Sequence, residues 1–269
     1  EYDGTDYEIY FWDGTSTTQV TDNSIHDDNH WINDNGYIVW SEYDGNDYEI
    51  FLWNGSTTTQ VTDNSLNDIE PQIGDNGSLL WLDEPDHEIY LWDGNTTTQL
   101  TNNSFNEYNP RINDNGDMSW SGYDGIEYEI FHWDGNTTTQ VTDNSNDEYN
   151  FQINNNSDIA WSAWDGTDNE IYFWDGTTTT QVTNNSLDDW YFQINNNGDV
   201  VWSENDGNDY ALNLWDGTTT IQLADNSVSG NDFQINDSSY VVWSEHDGTD
   251  YEINLWDGST TTQLTSNSS

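Results

Sequence analysis

Two kinds of apolar pattern alternate along the chain. In segments such as "YEIFLW", apolar side chains occupy both faces of an extended strand: Ile50 and Leu52 point one way. Phe51 and Trp53 point the other way, and a strand of this kind is buried on both sides. In the "TTTQV" segment that follows, only Val61 is apolar, which is typical of a half-solvated strand. No segment sustains a 3.6-residue apolar period, so we predict an all-β chain without helices.

These patterns recur along the whole chain. Trp followed by Asp or Asn and then Gly ends each doubly apolar strand, and five of its six intervals are 41 residues long. A second tryptophan marks the strand before it. The first column comprises Trp12, Trp53, Trp92, Trp133, Trp174, Trp215 and Trp256, and the second comprises Trp40, Trp81, Trp120, Trp161, Trp202 and Trp243. A fixed period of this length indicates one supersecondary unit stacked on copies of itself.

Each unit contains four short predicted strands. In the copy after Asn106 they are "NPRIND", "DMSWS", "YEIFHW" and "TTTQVT", separated by turns with Asn-Gly or Asp-Gly. Gly tolerates positive φ, and Asn or Asp bonds its own backbone, so both suit these turns. Four-stranded sheets packed face to face around an axis, with polar outer strands, form a β-propeller. We therefore predict an all-β propeller of four-stranded blades. A linear solenoid is the alternative, but it would need atypical polar caps at both ends, and none is visible.

The predicted propeller is a single domain over residues 1–269. A half blade precedes six complete blades; the half blade is 1–24 and the complete blades are 25–65, 66–104, 105–145, 146–186, 187–227 and 228–269. The half blade has only third and fourth strands, because Glu1 aligns with Glu42, directly after the Trp-Ser of a second strand. We expect seven blades, with the missing inner strands supplied by upstream residues or by another subunit. Six blades with a spare hairpin are the alternative.

The motifs of the unit resemble those of a known repeat family. The turn is Asn-Asp-Asn-Gly at 33–36 and 113–116, followed by "YIVWS" or "DMSWS", then "EIFLW" or "EIFHW", then "QVT" or "QLT". This order is similar to TolB-type propeller repeats, in which Ser-Pro-Asp-Gly leads to an apolar strand, an Ile-Tyr strand and a Leu-Thr ending. The resemblance covers all 269 residues but lacks the Ser-Pro and adds the two tryptophan columns. It implies a propeller of six to eight blades and no single activity.

The charge of the chain excludes several classes of partner. There are 52 acidic residues and one basic residue, Arg111, giving a formal net charge of -51. Such a chain repels nucleic acid and anionic membranes, so neither is an expected partner. The packed carboxylates also repel one another and need high salt or bound cations to screen them. The 16 Trp, 16 Tyr and 8 Phe nevertheless supply enough apolar surface for a folded protein.

The loop after each second strand carries Asp-Gly-x-Asp-x-Glu or a related pattern. Carboxylates two to three residues apart around a glycine turn are the hard oxygen ligands that calcium prefers. We predict calcium sites at Asp3, Asp6 and Glu8; at Asp44, Asp47 and Glu49; at Asp124, Glu127 and Glu129; at Asp165, Asp168 and Glu170; and at Asp247, Asp250 and Glu252. The loop before each first strand adds acids on the same face, such as Asp27, Asp68 and Asp189. The alternative is that Asp-Gly only forms the turns and the carboxylates are solvated.

No enzymatic activity is expected from the sequence. The five histidines lie in different repeat columns or isolated loops, there is no Cys, and no Gly-x-Ser-x-Gly motif occurs. Paired carboxylates are uninformative in so acidic a chain. Arg111 replaces a Gln of other units, and an ion-pairing or hydrogen-bonding role is expected for it.

The predicted function is that of an extracellular or cell-surface structural or interaction propeller. Divalent cations would screen or bridge its acidic loops, and its partners would be other copies of itself, in a filament for example, or cell-surface components. The alternative is a multivalent carbohydrate-binding propeller, in which pockets between blades offer an aromatic ring and acid or amide groups. Asn-x-Ser/Thr sequons lie mostly in turns and would carry glycans only in a host with a glycosylating pathway.

Overall fold

The computed structural model describes residues 6–148, 150–205, 207 and 209–266, with only the backbone of residues 28, 226, 227 and 229. These residues form strands and turns and no helix, as the apolar pattern predicted. None of the described segments is therefore a helix that is long and apolar enough to cross a membrane. The chain divides into two compact units. The first contains residues 1–125 and 130–140, and the second contains residues 126–129 and 141–269.

The first unit holds a two-stranded hairpin and three four-stranded antiparallel sheets. Residues 126–129, at the start of the third strand of the last of these sheets, belong to the second unit. The hairpin pairs β1 (Tyr10–Trp12) with β2 (Thr17–Gln19). The next sheet is β3 (Asp27–Ile32), β4 (Ile38–Tyr43), β5 (Tyr48–Trp53) and β6 (Thr58–Gln60). It is followed by β7 (Asn67–Ile73), β8 (Leu79–Glu84), β9 (Ile89–Trp92) and β10 (Thr97–Gln99). The last is β11 (Tyr108–Ile112), β12 (Met118–Tyr123), β13 (Tyr128–Trp133) and β14 (Thr138–Gln140).

The second unit continues the same meander with one difference. Its first sheet is β15 (Phe151–Ile153), β16 (Ile159–Trp164), β17 (Asn169–Trp174) and β18 (Thr179–Gln181). The remaining strands are β19 (Asp188–Ile194), β20 (Val200–Asn205), β21 (Tyr210–Trp215), β22 (Thr220–Ile235), β23 (Val241–His246), β24 (Tyr251–Trp256) and β25 (Thr261–Gln263). β22 is 16 residues long. It pairs with β21 through its first half and with β23 through its second half, so it joins two blades into one hydrogen-bonded sheet.

The core lies between successive sheets. In the first unit, Val39 and Ile50 of one sheet pack with Ile73 and Trp81 of the next. All six tryptophans of the second column are nearly inaccessible to solvent, with exposures of 1–3%. β5 and β17 bury both faces, and β6 and β18 are exposed apart from the half-buried position after their last residue, as the apolar pattern predicted. The end strands are more open, since Trp12 of β1 is 60% exposed and Ile253 of β24 is 37% exposed.

Several turns between a first and a second strand begin with an Asn that hydrogen-bonds to the next blade. In the first unit, Asn33 Nδ2 donates to the Gly74 carbonyl at 3.0 Å. In the second unit, Asn154 Nδ2 donates to the Asn195 carbonyl at 2.9 Å, and Asn195 Nδ2 donates to the Asn236 carbonyl at 3.1 Å. Asn at the first turn position therefore links neighbouring blades as well as forming the turn. The sequence analysis recognised only its role in the turn.

Candidate metal centres

Two Asp-Gly loops of the second unit bring three predicted carboxylates together. Between β16 and β17, one oxygen from each of Asp165, Asp168 and Glu170 lies within 4.8 Å of the other two. Between β23 and β24, Asp247, Asp250 and Glu252 are grouped in the same way. The loop supplies the two aspartates and the following strand supplies the glutamate. The strand-loop-strand order that the sequence predicts therefore brings all three carboxylates together.

In the first unit, one predicted ligand is replaced by another residue. Asp44 and Glu49 group with Asp63, which follows β6, within the same 4.8 Å limit. The predicted Asp47 is buried instead, and its Oδ1 accepts no hydrogen bond from the described residues. Sequence reasoning missed Asp63 because it comes from the end of the blade rather than from the Asp-Gly loop. The signal that identifies it is an Asp or Asn that precedes Asn-Ser in every unit except the last, which has Ser266 there.

The burial of the other predicted ligands differs from residue to residue. Asp3 lies outside the described residues, Asp6 and Glu8 are buried in the first unit, and Asp124 is exposed there. Glu127 is half-buried and Glu129 is buried in the second unit.

The glutamate is the most deeply buried member of each group. Glu49 and Glu170 are both 0% exposed. Their Oε1 atoms accept the backbone N–H of Asn64 and Asn185 respectively, each at 2.8 Å. Their Oε2 atoms receive no donor from the described residues. A buried carboxylate oxygen without a donor is costly unless it shares a proton or contacts a cation.

A second acid from the next sheet lies beside each of these glutamates. In the second unit it is Asp189, at 0% exposure. Asp189 accepts hydrogen bonds from Trp202 Nε1 at 2.9 Å and from Asn185 Nδ2 at 3.1 Å. Burial raises the pKa of Asp189 to about 8, and the carboxylates of Glu204 and Glu170 add to the rise. When no cation is bound, Asp189 and Glu170 are therefore expected to share one proton.

The same arrangement recurs in the first unit and elsewhere in the second. Trp81 Nε1 donates to Asp68 at 3.0 Å, and burial, followed by the charge of Glu49, raises the pKa of Asp68 to about 7. The other acid pairs are Glu8 with Asp27, Glu88 with Glu107, and Glu129 with Glu148. From the sequence, Asp27, Asp68 and Asp189 were expected on the same face as the Asp-Gly loops. Glu107 and Glu148 were not identified. Their common signal is an Asp or Glu four residues after the Asn of Asn-Ser.

The first aspartate of each loop also forms the turn. Asp165 Oδ1 accepts the backbone N–H of Thr167 at 2.8 Å and its hydroxyl at 2.7 Å. These hydrogen bonds hold the pKa of Asp165 below its usual range, so this carboxylate is ionised at neutral pH. Each group thus combines an exposed aspartate with a buried glutamate, and this set of hard oxygens fits a divalent cation such as calcium.

The comparisons with known proteins identify a fold and not a family. No family model matches the chain, and no curated protein matches it. Among solved structures, a puromycin-hydrolyzing peptidase from Mycobacterium tuberculosis is similar over 96% of this chain and 49% of that chain, at 11% identity and a TM-score of 0.60. Virginiamycin B lyase from Staphylococcus aureus is similar over 96% of this chain and 87% of its own, at 11% identity and a TM-score of 0.51.

TolB is also among the similar structures, as the repeat motifs predicted. TolB from Acinetobacter baumannii matches over 81% of this chain and 59% of that chain, at 20% identity and a TM-score of 0.48. The chain thus spans about half the length of the peptidase and about three-fifths of TolB. At these identities the comparisons establish the fold alone, and the fold rests on the blade topology and the two higher-scoring structures.

One expectation from the sequence is wrong. The chain was expected not to be an enzyme, but the structures that share its fold include a peptidase and a lyase. The error was to treat missing catalytic motifs as decisive, when propellers carry function in sites that vary from protein to protein. The predicted fold is confirmed: six four-stranded blades, two of them sharing β22, and one two-stranded hairpin are described, consistent with seven blade positions. In fold, this chain is a TolB-like β-propeller.

Proposed function

We propose that this chain is an interaction propeller, outside the cell or at its surface, whose Asp-Gly loops bind divalent cations, with calcium as the natural ion. The observation that carries the proposal is Glu170. It is 0% exposed, its Oε2 receives no donor from the described residues, and it is grouped with Asp165 and Asp168 within 4.8 Å. A cation between these carboxylates would stabilise charges that otherwise repel one another.

The overall charge explains why cations would matter for interactions. Two surfaces of a chain with a net charge of -51 repel each other unless counterions are bound or concentrated between them. Bound calcium lowers this charge locally and can be shared between acidic loops of two molecules. We therefore propose that the partners are other copies of the chain or components of the cell surface, and that their association requires the cation.

The test is thermal unfolding of the whole chain in three solutions: chelator, millimolar calcium, and sodium chloride matched to the calcium solution in ionic strength. A ligand that binds only the folded state adds about 3 kcal/mol at a hundredfold excess over its Kd. We expect a higher midpoint in calcium than in sodium chloride. Equal midpoints in those two solutions would show that the chain needs only screening, and the proposal would fail.

A pair of variants locates the effect. Asp165→Asn with Asp168→Asn removes two ligands beside Glu170 and is expected to reduce the calcium-induced shift. Asp206→Asn with Asp209→Asn is the matched control. It removes the same charge from the equivalent loop, in which Ala211 stands at the glutamate position. If both variants reduce the shift equally, calcium acts through general charge rather than at these groups.

An enzymatic function is the second candidate. It is favoured by the similarity to virginiamycin B lyase, which extends over 96% of this chain and 87% of the lyase. Mass spectrometry of quinupristin incubated with the chain tests it directly. A time-dependent product that scales with protein concentration would support this candidate, and unchanged quinupristin would remove the lyase reaction from consideration.

A further inference from the structure

Two solvent-open cavities occupy equivalent places in the repeat, one in each compact unit. The first, of about 460 Å³, lies where the segment after β6 meets β8 and β9. The second, of about 530 Å³, lies where the segment after β14 meets β16 and β17. We call them the junction cavities. Their equivalent lining positions include Asp63 and Tyr90 in the first, and Asp143 and Tyr172 in the second.

Aromatic rings form one wall of each junction cavity. Trp81 stacks on Tyr90 with ring centroids 5.8 Å apart and an interplanar angle of 11°. Trp161 stacks on Tyr172 at 5.6 Å and 15°. Each tryptophan is buried and each tyrosine is half-buried, so the stack holds the tyrosine ring rigidly at the cavity. In the second cavity, Trp164 adds a ring that is 46% exposed.

Carboxylates supply the charged part of the lining, beside hydroxyl and amide side chains. Asp63 and the buried Asp83 line the first cavity. Asp143 and Asp165 line the second, and both are exposed. The single basic residue of the chain, Arg111, lines neither cavity. An anionic ligand is therefore excluded by repulsion, and a cationic one is favoured.

The tyrosine of the first cavity experiences this negative charge directly. Burial raises the pKa of Tyr90, and the carboxylates of Asp83, Asp68 and Glu88 raise it further. The carboxylates that oppose ionisation of a phenol also attract a cation placed against its ring, in addition to the attraction of the ring itself.

The sequence combines the exposed aspartate with the tyrosine only at these two junctions. At the other four, the same two columns contain Asp22 with Phe51, Asn102 with Phe131, Asn184 with Asn213, and Asp225 with Asn254. Asn102 with Phe131 is thus a version of the junction, taken from the chain itself, that lacks both the charge and the phenol.

We propose that the two junction cavities bind arginine side chains of a basic polypeptide partner. A guanidinium group is planar, stacks on an aromatic ring and pairs with a carboxylate, and each cavity offers both kinds of group. The net charge of -51 attracts a basic chain from a distance, and the cavities then select arginine over lysine. The interaction does not require a bound metal ion.

The experiment is calorimetric titration of the whole chain with nona-arginine and with nona-lysine, in chelator and at physiological salt. Chelator removes divalent cations, so the outcome is separate from that of the calcium experiment. We expect nona-arginine to bind more tightly than nona-lysine. The variant Asp63→Asn, Tyr90→Phe, Asp143→Asn, Tyr172→Phe converts both junctions to the Asn102 and Phe131 type and is expected to weaken nona-arginine binding about tenfold.

The matched control is Asp225→Asn, set against Asp143→Asn. Each variant removes one charge from the same column, but the junction of Asp225 has Asn254 in place of an aromatic ring. Asp225→Asn is expected to leave nona-arginine binding nearly unchanged. Equal weakening by both variants, or equal binding of the two peptides, would mean diffuse attraction to an acidic surface and would overturn the proposal. Tyr90→Asn with Tyr172→Asn keeps the charge and removes the ring, as at the natural junction of Asp225 and Asn254, and unchanged binding in this variant would also overturn the proposal.

A neutral ligand is the remaining outcome. If a glycan array shows binding that the four-substitution variant abolishes, while nona-arginine binding is insensitive to that variant, the cavities are carbohydrate sites and the arginine proposal is wrong.

Discussion

Two junctions of the second unit show what the acid pair contributes to this fold. In the first, between β17 and β19, Glu170 and Asp189 are buried together, and Thr183 Oγ1 accepts the Ile171 N–H at 2.8 Å. In the second, between β21 and the later part of β22, the corresponding residues are Ala211, Ala224 and Gly230. The glutamate, the threonine and the second acid are thus all absent from one junction, which indicates that they act as one unit.

Backbone pairing and apolar packing replace the acids at the second junction. β22 continues through the region in which other blades have a loop, and it places Ala224 opposite Leu212 and Val228 opposite Tyr210. Ala211, Ala224 and Val228 are all buried there. The comparison teaches that a junction between blades is stable either with a paired set of acids or with none. A single buried acid without its partner should destabilise the junction far more than either of these two arrangements.

The largest expected effect comes from placing one acid in the apolar junction. Ala211→Glu buries a carboxylate without the threonine and second acid that accompany it elsewhere. We expect a loss of about 3 kcal/mol in the free energy of unfolding at neutral pH. The measurement is chemical denaturation. Ala211→Gln is the control for size, and an equal loss in both variants would show that bulk rather than charge excludes the acid.

The second effect is the pH dependence of stability without divalent cations. The folded pKa values of Asp189 and Asp68, about 8 and about 7, lie above the ordinary value of 3.8. Between the ordinary pKa and the raised pKa, the folded state binds more protons than the unfolded state. The stabilisation that these two groups contribute is therefore complete only below about pH 4. It decreases as pH rises through 7 to 8, by up to about 1.4 kcal/mol per pH unit for each group.

Calorimetric midpoints from pH 5 to pH 9 in chelator measure this dependence. Asp189→Asn is expected to make the slope shallower. Asp175→Asn is expected to leave it unchanged, because hydrogen bonds from Thr178 and Thr177 lower the pKa of Asp175 and it stays ionised over this range. A stability that increases with pH over this range would contradict the assignment of shared protons.

The third effect concerns the tryptophan that donates to the acid. Trp202→Phe removes the Nε1 hydrogen bond to the buried Asp189, and we expect a loss of about 2 kcal/mol. Trp243→Phe is the control, because both tryptophans are 1% exposed but Trp243 Nε1 donates to the half-buried Glu245 at 3.0 Å. We expect the loss in the control to be smaller by about 1 kcal/mol in denaturation experiments. Equal losses would assign the whole effect to ring packing.

The smallest effect is expected for acids that serve only in turns. Asp175 is exposed and accepts the backbone N–H groups of Thr177 and Thr178 at 2.9 and 2.7 Å. The equivalent Asn54 accepts the same pair of bonds from Ser56 and Thr57, at 3.1 and 3.0 Å. Asp175→Asn should therefore change stability by less than about 0.5 kcal/mol. A larger change would mean that exposed carboxylates also contribute to the stability that we assign to the junctions.

Much of the fold was predictable because local chemistry sets it. The double apolar pattern of "YEIFLW" and the single Val61 gave the burial of β5 and β6 correctly, and the Asn-Gly and Asp-Gly positions gave the turns. The candidate sites were predicted in part. Asp165, Asp168 and Glu170 meet as expected because they follow one another in a single loop and strand. Asp63 was missed because it joins Asp44 and Glu49 from the end of the blade.

The sequence by itself determined the repeat, the four strands of each unit, their turns and the excess of negative charge. These features depend on alternation along a strand, on turn residues and on composition, all of which are local. Only the tertiary structure decided that Glu170 lies beside Asp189, that Asn154 bonds to the next turn, and that β22 continues where the acids are absent. The physical reason is that these contacts join residues about 20 to 40 positions apart, and their distances depend on how one sheet packs on the next.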